Sequence, residues 1–291
     1  MKVLIVEDDP ASRSYLKRTL ESQDHQTRIA EDGLAGLQIF KKWAPDLVFS
    51  DIKMPKMDGL ELLEEIRKLN TDTIIVMITA FGCEEFAMRA LQSRANNLLK
   101  KPVRHAELLP LIKKYAAIVE SIDITQKEFG AIIKPELNKL IDNHMNMVPR
   151  IVARMVLETG KAFDKEKRLD IRLGLVEILT NAIEHGNLGI TFEEKAQALE
   201  ENELELLYTR RLKDPKFVGR RVAIEFKPDK DGCEWVVTDG GDGFNWQKAI
   251  ERAKTGDILE LHSRGVVIIQ HHFDEVEYLG SGNKIRVRKF R

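Results

Sequence analysis

The feature that most restricts the fold is an alternation. Over residues 1–121, five short apolar runs are each followed by an amphipathic stretch. The stretches with helical spacing are 11–21, 34–42, 60–68, 84–93 and 106–121. Strand-then-helix units in series imply an α/β domain, a doubly wound five-stranded parallel sheet with helices on both faces. Ligands of such sheets bind beyond the carboxyl ends of the strands. Glu7 and Asp8 follow the run Lys2-Val3-Leu4-Ile5-Val6, and Asp51 follows Leu47-Val48-Phe49-Ser50. Thr79 ends the run 74–78, and Lys101, before Pro102, ends Leu98-Leu99-Lys100. One sheet edge therefore gathers three acids, a hydroxyl and a lysine.

That set suits a Mg²⁺-assisted phosphoryl transfer. Mg²⁺ takes oxygen ligands in near-octahedral geometry and keeps several waters. Glu7, Asp8 and Asp51 offer carboxylates, and the backbone carbonyl of Lys53 completes the protein's share. The metal offsets repulsion between Asp51 and an incoming phosphoryl group. Lys101 would pair with the transferred group, and the Thr79 hydroxyl would bond one of its oxygens. The new charge would draw Thr79 and its loop inward.

The run Asp51-Ile52-Lys53-Met54-Pro55-Lys56-Met57-Asp58-Gly59 resembles the acceptor loop of response-regulator receiver domains. Val6-Glu7-Asp8-Asp9, Ile78-Thr79-Ala80 and Lys101-Pro102 fit the same family. The resemblance implies a flavodoxin-like fold over 1–121 and a two-component phosphorelay. Asp51 would be the phosphoacceptor, served by an upstream histidine kinase or phosphotransfer protein. One position departs: receivers often carry Tyr or Phe three residues before the lysine, and here that residue is Leu98. The signal is therefore expected to leave through the helix beginning near Ala106.

Past the fifth run the apolar positions continue as Leu108, Ile112, Tyr115, Val119, Ile122, Phe129 and Ile133, with a polar gap at Gln126. Three-four spacing suits a helix packed on a partner, a second copy of the chain included, or an intramolecular amphipathic linker. Pro135 is expected to end or kink it. This helical linker is read as 122–143, and a second domain as 144–291.

A formal net charge of −1 gives no support for a direct nucleic-acid surface. The basic stretch Arg210-Arg211-Leu212-Lys213, with Arg220-Arg221 beyond, reads as a solvated face. Two cysteines, Cys83 and Cys233, make a disulfide framework improbable and suit a reducing cytoplasm. No apolar run approaches the roughly 20 residues that span a bilayer, so no membrane contact is expected.

In the second domain, helical patterns at 148–158 and 165–184 precede a charged amphipathic stretch, 192–208. Strands follow at 222–227 and 234–238, then helices near 246–253 and after Gly265, then strands at 276–279 and 284–290. This order indicates an α/β sandwich. Glu177, Asn181 and His185 are four apart and share one helical face. An amide such as Asn181 can hold Mg²⁺ while a neighbouring carboxylate acts as base. Asp239-Gly240-Gly241-Asp242-Gly243 follows a strand; its glycines permit a close approach, and its first acid can accept from an exocyclic amine. Ser263-Arg264-Gly265 before a helix would offer N–H groups to phosphates.

Together these segments resemble the ATP-binding fold shared by gyrase, the heat-shock chaperone, histidine kinases and MutL. The resemblance implies ATP and a second Mg²⁺ as ligands, with Asn181 on the metal and Asp239 on adenine. Gly241 and Gly243 would shape the pocket and its lid, with Arg264 and Gly265 at the phosphates and His185 on the pocket face. The runs 181–187 and 263–278 look most like the anti-sigma-factor serine kinases. In those kinases a Glu four residues before the Asn is the general base, a place held by Glu177. Two departures stand out: a charged insertion from about 191 to 221, and Gly282-Asn283 where the family often has Gly-Thr.

Three functions fit. The first is a response regulator driving a serine/threonine protein kinase that acts on an anti-sigma-factor antagonist. The second is a non-catalytic, ATP-loaded switch that sequesters a sigma factor or another partner. The third is a hybrid histidine kinase using His144, five residues before Pro149. Against the third, Met145 replaces the usual acid and no room remains for a two-helix hairpin.

Overall fold

The computed structural model describes residues 1–80, 84–128, 137–160, 162–254 and 261–291. Cys83, Phe129, Ile133 and Pro135 lie outside them, as do the side chains of Ile122 and Arg264. The chain divides into two compact units, with the main break after Val119.

The first unit holds five strands: β1 (Lys2–Val6), β2 (Gln26–Ala30), β3 (Leu47–Asp51), β4 (Ile74–Thr79) and β5 (Asn97–Lys100). They pair in parallel in the order β2-β1-β3-β4-β5. β3 and β4 are buried along their whole length, as central strands covered on both faces must be. The helices are α1 (Pro10–Glu21), α2 (Gly33–Trp43), α3 (Gly59–Leu69), α4 (Glu84–Gln92) and α5 (His105–Glu128). Asp9, Asp32 and Asp58 cap the first three through side-chain bonds to backbone N–H groups. Helices thus start within a few residues of the strand ends, which keeps those ends close around the β1/β3 crossover. Gly59 makes one turn possible, because a Cβ there would stand 1.9 Å from the Asp51 carbonyl oxygen.

The second unit is a five-stranded antiparallel sheet of order β6-β7-β8-β10-β9. Its strands are β6 (Leu137–Ile141), β7 (Val222–Pro228), β8 (Gly232–Thr238), β9 (Glu275–Leu279) and β10 (Lys284–Phe290). The helices are α6 (Val148–Glu158), α7 (Lys165–Asn181), α8 (Phe192–Glu200), α9 (Leu204–Lys213), α10 (Trp246–Lys254) and α11 (Leu261–His272). α7 packs between α6 and α11. Trp235 is fully buried between Phe226 and Phe273, with ring centroids 5.4 and 6.0 Å away.

Several expectations change. The segment 122–143 is not a helical linker throughout: α5 runs on to Glu128, and Leu137–Ile141 is a strand paired with β7. Leu108, Ile112 and Tyr115 are buried within the chain, so that part of the α5 stripe serves the chain's own core, while Val119 is half-buried. The charged amphipathic 192–208 stretch forms two helices, α8 and α9, the second running on to Lys213. The helix expected after Gly265 already begins at Leu261, which places Gly265 inside it. His144 precedes a short 3₁₀ turn, Met145–Met147, and does not sit on a long helix. Among the described residues no helix is long and apolar enough to cross a membrane.

Candidate functional site

At the carboxyl edge of the first sheet the expected residues converge. Lys101 Nζ donates to Asp51 Oδ2 at 2.5 Å and to Glu7 Oε1 at 2.9 Å. Carboxylate oxygens of Glu7, Asp8 and Asp51 all lie within 4.8 Å of one another. Asp8 is exposed, while Glu7 and Asp51 are buried. The Lys53 backbone N–H donates to Asp51 Oδ1 at 3.3 Å, which sets that peptide beside the carboxylate. Thr79 ends β4 and is buried; its hydroxyl bonds the Ala80 carbonyl at 3.4 Å.

The charges here are unevenly met. Burial pushes the Glu7 carboxyl up, and neighbouring Asp51 adds to that, against the opposing Lys101 bond. Burial alone would pull Lys101 down, but its bonds to Asp51 and Glu7 outweigh it and hold the ammonium above its usual range. Glu7 Oε2 is buried with no hydrogen-bond partner. A buried carboxylate oxygen without a donor costs free energy, and a divalent cation would satisfy it. The residues present therefore fit a Mg²⁺ ion. Leu98, in place of an aromatic, is buried.

The second constellation is assembled from α7, the loop after β8, and α11. α7 ends at Asn181 in a wider π-helical turn, Ala182–Asn187. A Cβ on Gly265 would stand 2.9 Å from Glu177 Oε1 and 3.3 Å from Asn181 Nδ2. So α11 lies directly on the Glu177–Asn181 face, with Gly265 at the point of approach. A Cβ on Gly186 would stand 2.3 Å from the Asp239 carboxyl carbon. The π-helical turn thus lies against the Asp239 carboxylate.

Asp239 is held on its main chain by Asn283, whose carbonyl accepts from Asp239 N at 3.0 Å. Asn283 Nδ2 also donates to the Asp239 carbonyl at 3.2 Å. Gly241 N–H donates to Asp239 Oδ1 at 2.8 Å, leaving the second oxygen for another donor. Gly243 has φ 83° and packs on Ser281. Burial pushes the Asp239 carboxyl up to about 6, against the Gly241 bond and the Arg220 charge. His185 is committed elsewhere: its Nδ1 lies 2.6 Å from the Ile190 carbonyl and its ring packs on Phe192. Burial holds its imidazole below the ordinary range.

Comparison with known proteins now decides the family. The model of the histidine kinase-like ATPase domain matches residues 142–289, just over half of the chain. The chain belongs to that family. The response regulator receiver domain matches residues 3–113. An uncharacterized 14.6 kDa protein of Leptolyngbya boryana is 35% identical over 117 residues, 40% of this chain and 89% of that protein. Chemotaxis protein CheY of Halobacterium salinarum is 32% identical over 111 residues, 38% of this chain and 92% of CheY. Sensor histidine kinase RcsC of Salmonella typhi is 37% identical over 116 residues, 40% of this chain but only 12% of RcsC. The chain thus carries a response regulator receiver domain followed by a histidine kinase-like ATPase domain.

Sequence reasoning missed some supports of both domains. In the receiver, Arg13 Nη1 donates to the Glu7 and Asp8 carbonyls at 2.6 and 3.1 Å, pinning the acidic loop. In the ATPase domain, Asn187 Oδ1 accepts from Gly240 N–H at 2.7 Å, and its Nδ2 donates to Asn143 Oδ1 at 2.6 Å. The 191–221 insertion is tied down at Glu184, which accepts from Lys195 Nζ at 2.6 Å and from the Tyr208 hydroxyl. Arg220 is not part of a solvated face: its Nη1 donates to the Gly186 and Asn187 carbonyls at 3.2 and 3.4 Å. An acidic residue beside Asn181-Ala182-Ile183 was the one signal for the Glu184 anchor, and nothing in the sequence pointed to Arg220.

Proposed function

We propose that phosphorylation of Asp51 controls an ATP-dependent serine/threonine protein kinase acting on an anti-sigma-factor antagonist. The carrying observation is the convergence of Glu177, Asn181 and Gly265. It puts a carboxylate beside a neutral amide on a face that α11 covers. Such a carboxylate suffices as general base toward a hydroxyl, because phosphoryl transfer depends mainly on positioning and charge neutralisation. Asn181 would hold the Mg²⁺ of ATP, and the free oxygen of Asp239 would accept from the adenine amine. Glu7, Asp8, Asp51 and the Lys53 carbonyl would hold the receiver's Mg²⁺. When bound, these ions neutralise phosphate charge. Lys101 then leaves its ion pair with Asp51 for the new phosphoryl group, and Thr79 closes on it. The donor is an upstream histidine kinase or phosphotransfer protein.

The test is incubation of the full chain with ATP, Mg²⁺ and an anti-sigma-factor antagonist, followed by phosphosite mass spectrometry. Phosphoserine or phosphothreonine is expected with wild type. Glu177→Ala should slow transfer about 100-fold or more while ATP affinity stays within about twofold. Equal phosphorylation by both would exclude Glu177 as base. The engagement of Asn283 with Asp239 supports a second reading, a nucleotide-loaded switch that binds a partner without catalysis. ATP-dependent partner capture with no turnover would favour it.

A further inference from the structure

The 191–221 insertion and the glycine-rich loop after β8 both pack on the π-helical turn Ala182–Asn187, at different residues. Glu184, inside that turn, is 1% exposed. Its Oε2 accepts from Lys195 Nζ of α8 at 2.6 Å, and its Oε1 accepts from the Tyr208 hydroxyl of α9. Both helices of the insertion therefore meet at one buried carboxylate. Beside it, the His185 ring packs on Phe192 of α8, with centroids 4.2 Å apart. Residues two apart on a helical turn do not share a face. Gly186 accordingly meets the loop instead: its ideal Cβ would stand 2.3 Å from the Asp239 carboxyl carbon. A Cβ on Gly241 would stand 2.5 Å from the Gly186 carbonyl oxygen, and Asn187 Oδ1 accepts from Gly240 N–H at 2.7 Å. Residues 239–241 thus lie directly on Gly186 and Asn187.

We infer that Lys195 and Tyr208 are positioning residues of the nucleotide site: through Glu184 they fix the turn on which loop 239–243 is laid, so the insertion sets how tightly that loop holds a nucleotide. The inference rests on the loop after β8 binding nucleotide, and not on which base it reads. A π-helical turn is a rare, wide geometry, and a buried carboxylate persists only where it is paired. Without the Tyr208 hydroxyl or the Lys195 ammonium, Glu184 is short of a donor in a place that water does not reach. It regains one only by shifting, and Gly186 and Asn187 shift with it. The contacts of Gly186 and Gly241 are closer than a Cβ would allow, so a movement of the turn reaches the loop directly. Other bonds keep the turn formed while this happens. Asn187 Nδ2 still donates to Asn143, and Arg220 Nη1 still donates to the Gly186 and Asn187 carbonyls. The expected loss is therefore partial, a misplaced loop and not an unfolded one.

The test is calorimetric titration of the full chain with Mg²⁺-ATP, at a temperature where circular dichroism shows every variant folded. Tyr208→Phe keeps the ring and drops the hydroxyl; Lys195→Met keeps the length and drops the charge; Lys195→Arg keeps the charge. Tyr208→Phe and Lys195→Met should each lose about tenfold in ATP affinity. In both, the amides of 239–243 should exchange hydrogen faster by mass spectrometry. Lys195→Arg should bind ATP within about threefold of wild type. Asp229→Ala controls for stability alone: it removes the bonds from Asp231 and Gly232 N–H at the end of β8 away from Asp239. It should lower Tm yet leave ATP affinity and the exchange of 239–243 unchanged. ATP affinity within about twofold of wild type in both Tyr208→Phe and Lys195→Met, or an equal loss in Asp229→Ala, would overturn the inference. A wild-type chain that binds no ATP would remove the nucleotide reading, and the inference with it.

Discussion

At the receiver site a cation already meets the acids. Lys101 bridges Asp51 and Glu7 on strands from one sheet, while Glu7 Oε2 stays without a donor. In the ATPase domain Asp239 makes no ion pair among the described residues, and Arg220 donates through Nη1 to two backbone carbonyls. On the proposed reading, a Mg²⁺ ion among the receiver acids would release Lys101 to a phosphoryl group. At the second site, burial raises the Asp239 carboxyl to about 6, against the Gly241 bond and the Arg220 charge. The two constellations therefore differ in what meets their acids: a lysine in the receiver, a backbone N–H at Asp239.

The largest expected effect breaks the two sites apart. Asp51→Asn removes the proposed acceptor carboxylate of the receiver while keeping its shape. Incubated with a small acyl phosphate and Mg²⁺, wild type should gain one phosphoryl mass by intact mass spectrometry and the variant none. ATP binding should be unchanged, because the pocket's residues all lie in the second unit. Retained phosphorylation in the variant would show that another residue accepts the group.

The next effect tests how the pocket is assembled. Gly186→Ala drives a methyl group into the Asp239 carboxyl, 2.3 Å from the ideal Cβ. The clash displaces the acid or the π-helical turn at a cost of about 2–3 kcal/mol, a loss of roughly 30- to 150-fold in ATP affinity. Gly265→Ala meets only the end of the Glu177 side chain, at 2.9 Å, which can swing aside. It should cost several-fold less in ATP affinity and show mainly in phosphotransfer. Equal losses by calorimetry would mean that Gly186 does not shape the adenine side.

The two sites also differed in how far the sequence disclosed them. In the receiver each reactive residue ends a strand, and parallel strands of a doubly wound sheet end at one edge. Position in the chain therefore converts directly to position in space, and Glu7, Asp8, Asp51 and Lys101 were all found together. In the pocket the residues come from a helix, a loop and a second helix. Sequence placed Glu177 and Asn181 on one face because their spacing is helical. It gave α11 the wrong start, since Leu261–Arg264 carries no turn signal of its own. It also could not place Arg220, because an insertion's path is fixed by tertiary anchors such as Glu184–Lys195 and not by periodicity. His185 shows a related limit: the helical-face argument was sound, yet a nearby carbonyl claimed its Nδ1.

The smallest effect sharpens the comparison by adding a third charged cluster. Asp170 on α7 bonds His272 Nδ1 at 3.2 Å and Lys289 Nζ at 3.1 Å, and Lys289 also donates to the His272 carbonyl at 2.9 Å. As at Lys101, a lysine meets an acid away from water. Here burial again pushes the acid up, but the His272 bond and the charges of His272 and Lys289 outweigh it and bring Asp170 down to about 2. The receiver's Glu7 goes the other way because burial outweighs its Lys101 bond, with the neighbouring Asp51 charge adding to the rise. Asp170's folded pKa lies below its unfolded value of 3.8, so its ionised form stabilises the fold above that value. The stabilisation, about 2 kcal/mol, is lost as pH falls from about 4 through about 2. Urea unfolding should find Asp170→Asn less stable than wild type at pH 7, with the gap closing by about pH 2. A gap that stays constant down to that pH would mean that Asp170 contributes packing rather than charge, and that the Lys289 cluster is not the receiver arrangement with its charges balanced.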